Sequence, residues 1–86
     1  METEQHPRIT FGQNLRRARR RLKMAKRDLA SRAGMSYRYV RAVERGERNI
    51  SINNMQRLAE VVNSTVVDLL KAAPKSERPG EDGRKK

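Results

Sequence analysis

Two glycines, Gly34 and Gly46, constrain the fold of this chain more than any other feature of its sequence. Residues 26–33 carry apolar side chains at helical spacing, and Gly34 ends that pattern because glycine adopts the left-handed conformation of a helix C-terminus at little cost. Ser36, a favoured N-cap residue, begins a second helical pattern that runs to residue 45 and stops at Gly46. The sequence therefore predicts two short helices joined by a turn of a few residues, which is a helix-turn-helix pattern.

Three further segments have helical signals. Thr10 and Gln13 have the spacing of a capping box at the start of a first helix. The apolar stripe of that helix consists of Phe11, Leu15, Ala18 and Leu22. Ser51 caps a fourth helix that Asn63 ends, and Thr65 starts a short fifth helix. The predicted fold class is all-α, a compact five-helix bundle.

We expect one domain, because 86 residues build a single small core. It covers residues 10–73. Residues 1–9 are polar, contain Pro7 and are predicted to form a flexible arm. Residues 74–86 form a basic, polar tail without an apolar residue, and we expect disorder there because burial cannot offset the entropy of ordering.

Positive charge is concentrated in one half of the chain. Residues 8–48 contain 14 Lys or Arg against three acids, whereas residues 49–70 contain one base and two acids. The whole chain has a formal net charge of +11. Solubility alone does not require this segregation, so a polyanion is the expected partner of the basic half.

Several classes of function are disfavoured. The chain has no cysteine, its single histidine, His6, lies in the predicted arm, and no carboxylates are paired for acid–base chemistry. We therefore expect no enzyme activity, no metal and no cofactor. A small-molecule effector is not expected either, because the sequence indicates a single small domain. The apolar runs are too short to span a membrane and no secretion signal is recognisable, so a cytoplasmic location is expected.

The segment after Ser36 has a basic outer face. If Val40 and Val43 face the core, a helical wheel directs Arg38, Arg41, Ala42 and Arg45 away from it, with Tyr37 at the N-terminal tip. Arginine forms two hydrogen bonds with a guanine edge, and alanine permits close approach to a thymine methyl. The residues predicted to contact bases are Tyr37, Arg38, Arg41 and Ala42. A merely solvated arginine-rich face remains the alternative.

Several motifs in register carry a family resemblance. They are Leu-Arg-Arg-Ala-Arg at 15–19, Asp-Leu-Ala-Ser-Arg-Ala-Gly at 28–34, residues 36–40, Val-Glu-Arg-Gly at 43–46 and Ser-Thr-Val-Val-Asp-Leu-Leu at 64–70. Residues 11–70 resemble the Cro/C1-type helix-turn-helix domain, also called the xenobiotic-response-element family, which has the lambda-repressor-like fold. Residues 48–51 are similar to the loop of restriction–modification controller proteins, which phage-type repressors share in part.

The resemblance adds roles for other residues. Phosphate contacts are expected from Lys26, which begins the second helix where backbone N–H groups favour an anion, and from residues around the turn and the following loop. Those further residues are Ser36, Tyr39, Arg45, Arg48, Asn49 and Ser51. The family usually has Gln where this chain has Lys26, and Tyr39 is equally suited to packing. The family also pairs the positions of Arg19 and Glu44 in a partly buried ion pair with a structural role.

The resemblance implies a transcriptional regulator that binds an inverted-repeat operator in double-stranded DNA as a homodimer, in a bacterial or phage-encoded setting. The dimer surface is predicted on the neutral half of the chain, at Met55, Val61, Val67 and Leu70. Two alternatives stay open: the DNA-binding antitoxin of a toxin–antitoxin pair, and a non-specific nucleic-acid-binding basic helical protein. A membrane-surface helix has little support because the basic helix has a narrow apolar face and no Trp.

Overall fold

The computed structural model describes residues 6–72, which form five α-helices and no strand. In chain order these are α1 (Pro7–Arg21), α2 (Lys26–Ala33), α3 (Tyr37–Glu44), α4 (Ile52–Val61) and α5 (Val66–Leu70). The predicted all-α, five-helix architecture is thereby confirmed. The predicted tail at 74–86 and the first five residues of the predicted arm lie outside the described residues.

The start of α1 differs from the prediction. The helix begins at Pro7, its N-cap is His6, and no side chain hydrogen-bonds to the cap. Residues 7–9, assigned to the arm, therefore belong to the helix, and Thr10 lies inside it rather than at its start. Proline is well suited to the first helical position, since its φ is already helical and its missing N–H has no partner there in any helix.

The ends of α1 to α4 have the same geometry. In each, a residue with positive φ follows the helix within two residues. The backbone N–H of the residue after it donates a hydrogen bond to a carbonyl oxygen of the last helical turn. Gly34 and Gly46 occupy this position after α2 and α3 as predicted, and Asn63 does so after α4. After α1 the position is held by Lys23, at φ 58.

One apolar core is shared by all five helices. Its fully buried large side chains are Phe11, Leu15, Leu29, Leu58, Val40 and Val43. Leu22, predicted as the last member of the α1 stripe, is instead 43% exposed, because α1 has already ended and the chain turns there. Within residues 6–72, no helix is both long and apolar enough to cross a membrane.

Close packing of α1 against α3 depends on Gly12. A Cβ at this position would overlap the carbonyl oxygen of Val43 and come within 2.9 Å of that of Glu44. The absence of a side chain lets the two backbones approach, and this contact sets the distance between the two helices. No local pattern in the sequence indicates this role of Gly12.

The C-terminal end of α5 is held by Asn14 of α1. Its side-chain amide donates to the carbonyl oxygens of Leu69 at 2.8 Å and of Lys71 at 2.7 Å. Arg17 in turn donates to the Asn14 side-chain oxygen at 2.6 Å. Carbonyls at the end of a helix lack intrahelical partners, so these bonds stabilise the position of α5.

The arrangement leaves one side of α3 open. α3 packs against α1 and α2, whereas α4 packs against α2 and α5. α3 is thus held by the two preceding helices through its buried side, and its opposite side is available to a partner.

Candidate nucleic-acid interface

The outer face of α3 is exposed and basic. Val40 and Val43 are buried, with 0% and 1% of their surface accessible, while Arg38 and Arg41 are exposed. Ala42 is half-buried. This rotation of the helix is the one that the valines predict, and it directs arginine side chains to solvent along one face.

Tyr37 stands at the first position of α3 and is 40% exposed. The guanidinium carbon of Arg27 lies 4.9 Å from the centre of its ring. This distance is typical of a cation–π contact, which attracts the charge to the electron-rich ring face. Arg27, on α2, thereby contacts a residue that the sequence predicts to touch DNA bases.

Tyr39 is held in two ways. The guanidinium carbon of Arg48, in the loop after α3, lies 5.0 Å from the centre of the Tyr39 ring. The side-chain amide of Asn54 donates a hydrogen bond to the Tyr39 hydroxyl at 3.1 Å. Tyr39 is half-buried and packs against the core. The packing role that the sequence left open is therefore present in the structure, and the contact of Tyr39 with phosphate remains a prediction.

The hydroxyls of Ser36 and Ser51 cap helices. Ser36 accepts from the backbone N–H of Tyr39 at 3.0 Å at the start of α3. Ser51 accepts from the N–H of Asn54 at 3.1 Å at the start of α4. Each hydroxyl keeps its own hydrogen for a further acceptor such as a phosphate oxygen.

The other residues predicted to contact phosphate lie at the start of α2 and in the segment that follows α3. Lys26 is half-buried at the start of α2, whose N-cap is Ala25 with no side-chain hydrogen bond. Arg45 is exposed and lies 4.0 Å from the Glu47 carboxylate, a surface contact that contributes little to stability. Asn49 is exposed in the loop between α3 and α4.

Arg19 and Glu44 form a buried ion pair between α1 and α3. The Arg19 Nε lies 2.7 Å from Glu44 Oε2, and a second guanidinium nitrogen donates to Oε1 at 3.1 Å. The remaining terminal nitrogen donates to the Met24 carbonyl at 2.7 Å. The side chains are 9% and 3% exposed, so this two-point contact ties α3 to α1 and to the chain before α2.

The four residues predicted for the dimer surface lie in different environments. Val67 is 67% exposed, and Val61 and Leu70 are half-buried. Met55 is only 8% exposed and belongs to the core of the single chain, so it is not available for a second copy. Ile52, which the sequence analysis did not name, is 65% exposed at the start of α4.

Two contacts between helices of this region have no signal in the sequence: the stack of Arg27 on Tyr37 and the hydrogen bond of Asn54 to Tyr39. Each joins residues on different helices. The distances between such positions follow from the angles at which the helices pack, and no local pattern in the sequence encodes those angles. In the sequence, Arg27 is distinguished only by its contribution to the net charge.

A short helix packed on the core through one face, a glycine turn and a second helix with an exposed basic face define a helix-turn-helix DNA-binding domain. The Helix-turn-helix family model matches residues 15–69. The chain belongs to this family, and its resemblance to the Cro/C1 type is confirmed.

Individual relatives agree with this assignment. Control protein C.BamHI of Bacillus amyloliquefaciens is 31% identical over 64 residues, covering 73% of this chain and 79% of the relative. The restriction-modification controller protein C.AhdI from Aeromonas hydrophila is 35% identical, with a TM-score of 0.69 over 72% of this chain and 94% of that chain. The clp gene regulator ClgR from Corynebacterium glutamicum is 26% identical, with a TM-score of 0.75 over 79% and 72% of the two chains.

Proposed function

We propose that this protein is a sequence-specific transcriptional regulator that binds an inverted-repeat DNA operator as a homodimer. The observation that carries the proposal is the exposed face of α3, where Arg38 and Arg41 extend from a helix whose valines are buried. An α-helix fits the major groove, and arginine is the side chain that pairs with the O6 and N7 atoms of guanine. Tyr37 and Ala42 complete the proposed base-contacting set.

Phosphate contacts are proposed to surround this face. Lys26 at the start of α2 and Arg48 and Asn49 after α3 lie on either side of the recognition helix in the chain. Contacts of this kind position a protein on the duplex and supply affinity, but they do not distinguish sequences. The remaining members of the proposed phosphate set are Ser36, Tyr39, Arg45 and Ser51.

Dimer formation follows from the small size of the site. One recognition helix contacts only a few base pairs, so selectivity in a genome requires two half-sites about one helical turn apart. The proposed contact between copies is the apolar surface of the neutral half, with Val67 at its most exposed point and Val61 and Leu70 beside the core.

The relatives favour gene regulation over the alternatives. C.AhdI is described as a restriction-modification controller and ClgR as a clp gene regulator, and none of the three relatives is described as an antitoxin. We therefore propose that the chain controls transcription by binding DNA, without catalysis of its own. Such a protein works in the bacterial cytoplasm, where its DNA target is accessible.

Selection of bound duplexes from a random pool tests the proposal. We expect enrichment of a two-fold symmetric sequence whose half-site centres lie about 34 Å apart along the DNA axis. The double variant Arg38→Ala/Arg41→Ala should enrich nothing, while Arg32→Ala, which removes an exposed arginine of α2, should enrich the same site as the wild type. Preference for the selected duplex over random DNA should exceed about 10³-fold. Enrichment of no sequence by the wild type would instead indicate non-specific binding of polyanions.

A further inference from the structure

The contact between Arg27 and Tyr37 joins the two helices of the helix-turn-helix at their N-terminal ends. Arg27 is the second residue of α2 and Tyr37 the first of α3, and the guanidinium carbon lies 4.9 Å from the ring centre. Arg27 is exposed and forms no ion pair with any acid among residues 6–72. Among residues 6–72, the Tyr37 ring is therefore the group that this guanidinium contacts.

Fewer contacts fix the ring of Tyr37 than fix the ring of Tyr39. Tyr39 is half-buried, stacked by Arg48 and hydrogen-bonded through its hydroxyl to Asn54. Tyr37 is 40% exposed and no hydrogen bond of its hydroxyl is found within residues 6–72. An aromatic side chain at an exposed helix tip otherwise exchanges between rotamers, because few neighbours restrict it.

We propose that Arg27 is a positioning residue that holds the Tyr37 ring in one orientation before DNA is bound, and thereby sets base preference at the position that Tyr37 contacts. This inference rests on the proposed function. A cation over one face of the ring leaves the hydroxyl and the ring edge free to meet a base. A side chain that is already ordered loses less entropy on binding, so affinity and selectivity at that position both increase.

A different role for Arg27 would be a simple contact with phosphate. The two roles have different consequences for binding. A phosphate contact strengthens binding to all sequences alike. It also contributes about one to the magnitude of the slope of log affinity against log salt concentration. A positioning role changes the preference among bases at one position of each half-site and leaves the other positions unchanged.

The stack itself is tested in the free protein by NMR. Protons of the Arg27 side chain should be shifted upfield by the ring current of Tyr37, and the Tyr37→Leu variant should abolish the shift. Arg32 is the internal control, because it lies about 140° around α2 from Arg27 and is also exposed. Arg27 resonances that match those of Arg32 in the wild type would overturn the inference.

Selection from a random pool then tests the consequence for DNA. Relative to the wild type, Arg27→Ala should lower the preference at one base position of the half-site by about three- to fivefold, with the other positions unchanged. Arg27→Lys, which keeps a cation, should restore part of that preference, and Arg32→Ala should leave it intact. In a Tyr37→Leu background, Arg27→Ala should have no further effect on base preference.

The outcomes separate this inference from the proposed function. A wild-type protein that enriches a site whose base preferences persist in Arg27→Ala overturns the positioning role alone. A uniform loss of affinity with a lower salt slope assigns Arg27 to phosphate and also overturns it. A wild-type protein that enriches no site overturns the proposed function and, with it, the present inference.

Discussion

Arg38 is exposed on the second position of α3, where the helix-turn-helix geometry places side chains closest to base edges. We predict that Arg38→Ala weakens binding to the selected operator by about 1–3 kcal/mol and relaxes selectivity at one base position. Its thermal unfolding should match the wild type, since the Arg38 side chain is exposed. Titrations on operator and random duplexes measure the effect, with Lys26→Ala as the comparison, which should weaken both duplexes alike and lower the salt slope. Equal losses on both duplexes for Arg38→Ala would contradict a base contact.

Arg19 shows that a basic residue in this domain need not contact DNA. Its guanidinium is bound to both oxygens of Glu44 and to the Met24 carbonyl, with 9% of the side chain exposed. We predict that Arg19→Ala lowers the free energy of unfolding by about 3–5 kcal/mol, because the Glu44 carboxylate is left buried without its cation. Chemical denaturation measures this loss.

A matched variant separates the loss of the buried ion pair from the loss of one positive charge. Arg20→Ala removes a neighbouring exposed arginine of α1 and should change the free energy of unfolding by less than about 0.5 kcal/mol. Arg19→Lys should recover only part of the loss, since a single ammonium cannot reproduce the two-point contact. If Arg19→Ala unfolds like Arg20→Ala, the ion pair has no structural role.

At the level of the helices, the turn after α1 contains a lysine in the left-handed backbone conformation. Lys23 has a φ of 58, a conformation that costs an L-residue about 1 kcal/mol and that glycine adopts freely. We predict that Lys23→Gly raises the free energy of unfolding by about 0.5–1 kcal/mol. Asn63→Gly, at the equivalent position after α4, should give a smaller gain because asparagine tolerates this region. Thermal unfolding of both variants checks the order, and a loss of stability in Lys23→Gly would mean that its side chain has a contact of its own.

Helix boundaries were predicted well where local chemistry decides them. Ser36, Ser51 and Thr65 each accept a hydrogen bond from the N–H three residues on, as their sequence context indicates. The start of α1 was placed wrongly because a proline marks both loops and first helical turns. Neither Gly12 nor Asn14 was assigned a role, because each acts on a segment distant in the sequence: Gly12 on α3 and Asn14 on α5.

For the whole molecule, the basic and the neutral half assign the proposed DNA surface and the proposed dimer surface to different segments of the chain. Val67 is the most exposed apolar residue of α5, at 67%. We predict that Val67→Asp weakens dimerisation by about tenfold or more and lowers operator affinity, because a carboxylate would be buried against a second copy. Sedimentation equilibrium at several concentrations measures the first effect and operator titration the second.

The control for this variant is Ile52→Asp, which changes a comparably exposed apolar residue at the start of α4. It should leave dimerisation intact if the surface is centred on Val67, and both variants should unfold like the wild type. Wild-type protein that stays monomeric at high concentration and on DNA would contradict the homodimer.

The sequence by itself determined the features that depend on neighbours along the chain. Apolar spacing, capping residues and glycines established the number and order of the helices, and Val40 and Val43 established the rotation of α3 that exposes Arg38 and Arg41. The charge of residues 8–48 indicated an anionic partner. These properties are local because hydrogen bonding and side-chain periodicity within a helix act over three or four residues.

Only the tertiary structure decided which side chains meet across helices. In the folded chain Met55 belongs to the core, Leu22 and Ile52 are exposed, and Arg27 stacks on the ring of Tyr37. Such contacts depend on the distances and angles between packed helices, which arise when all the apolar faces are buried together. The glycine turn was therefore visible in the sequence, whereas the stack that spans it was not.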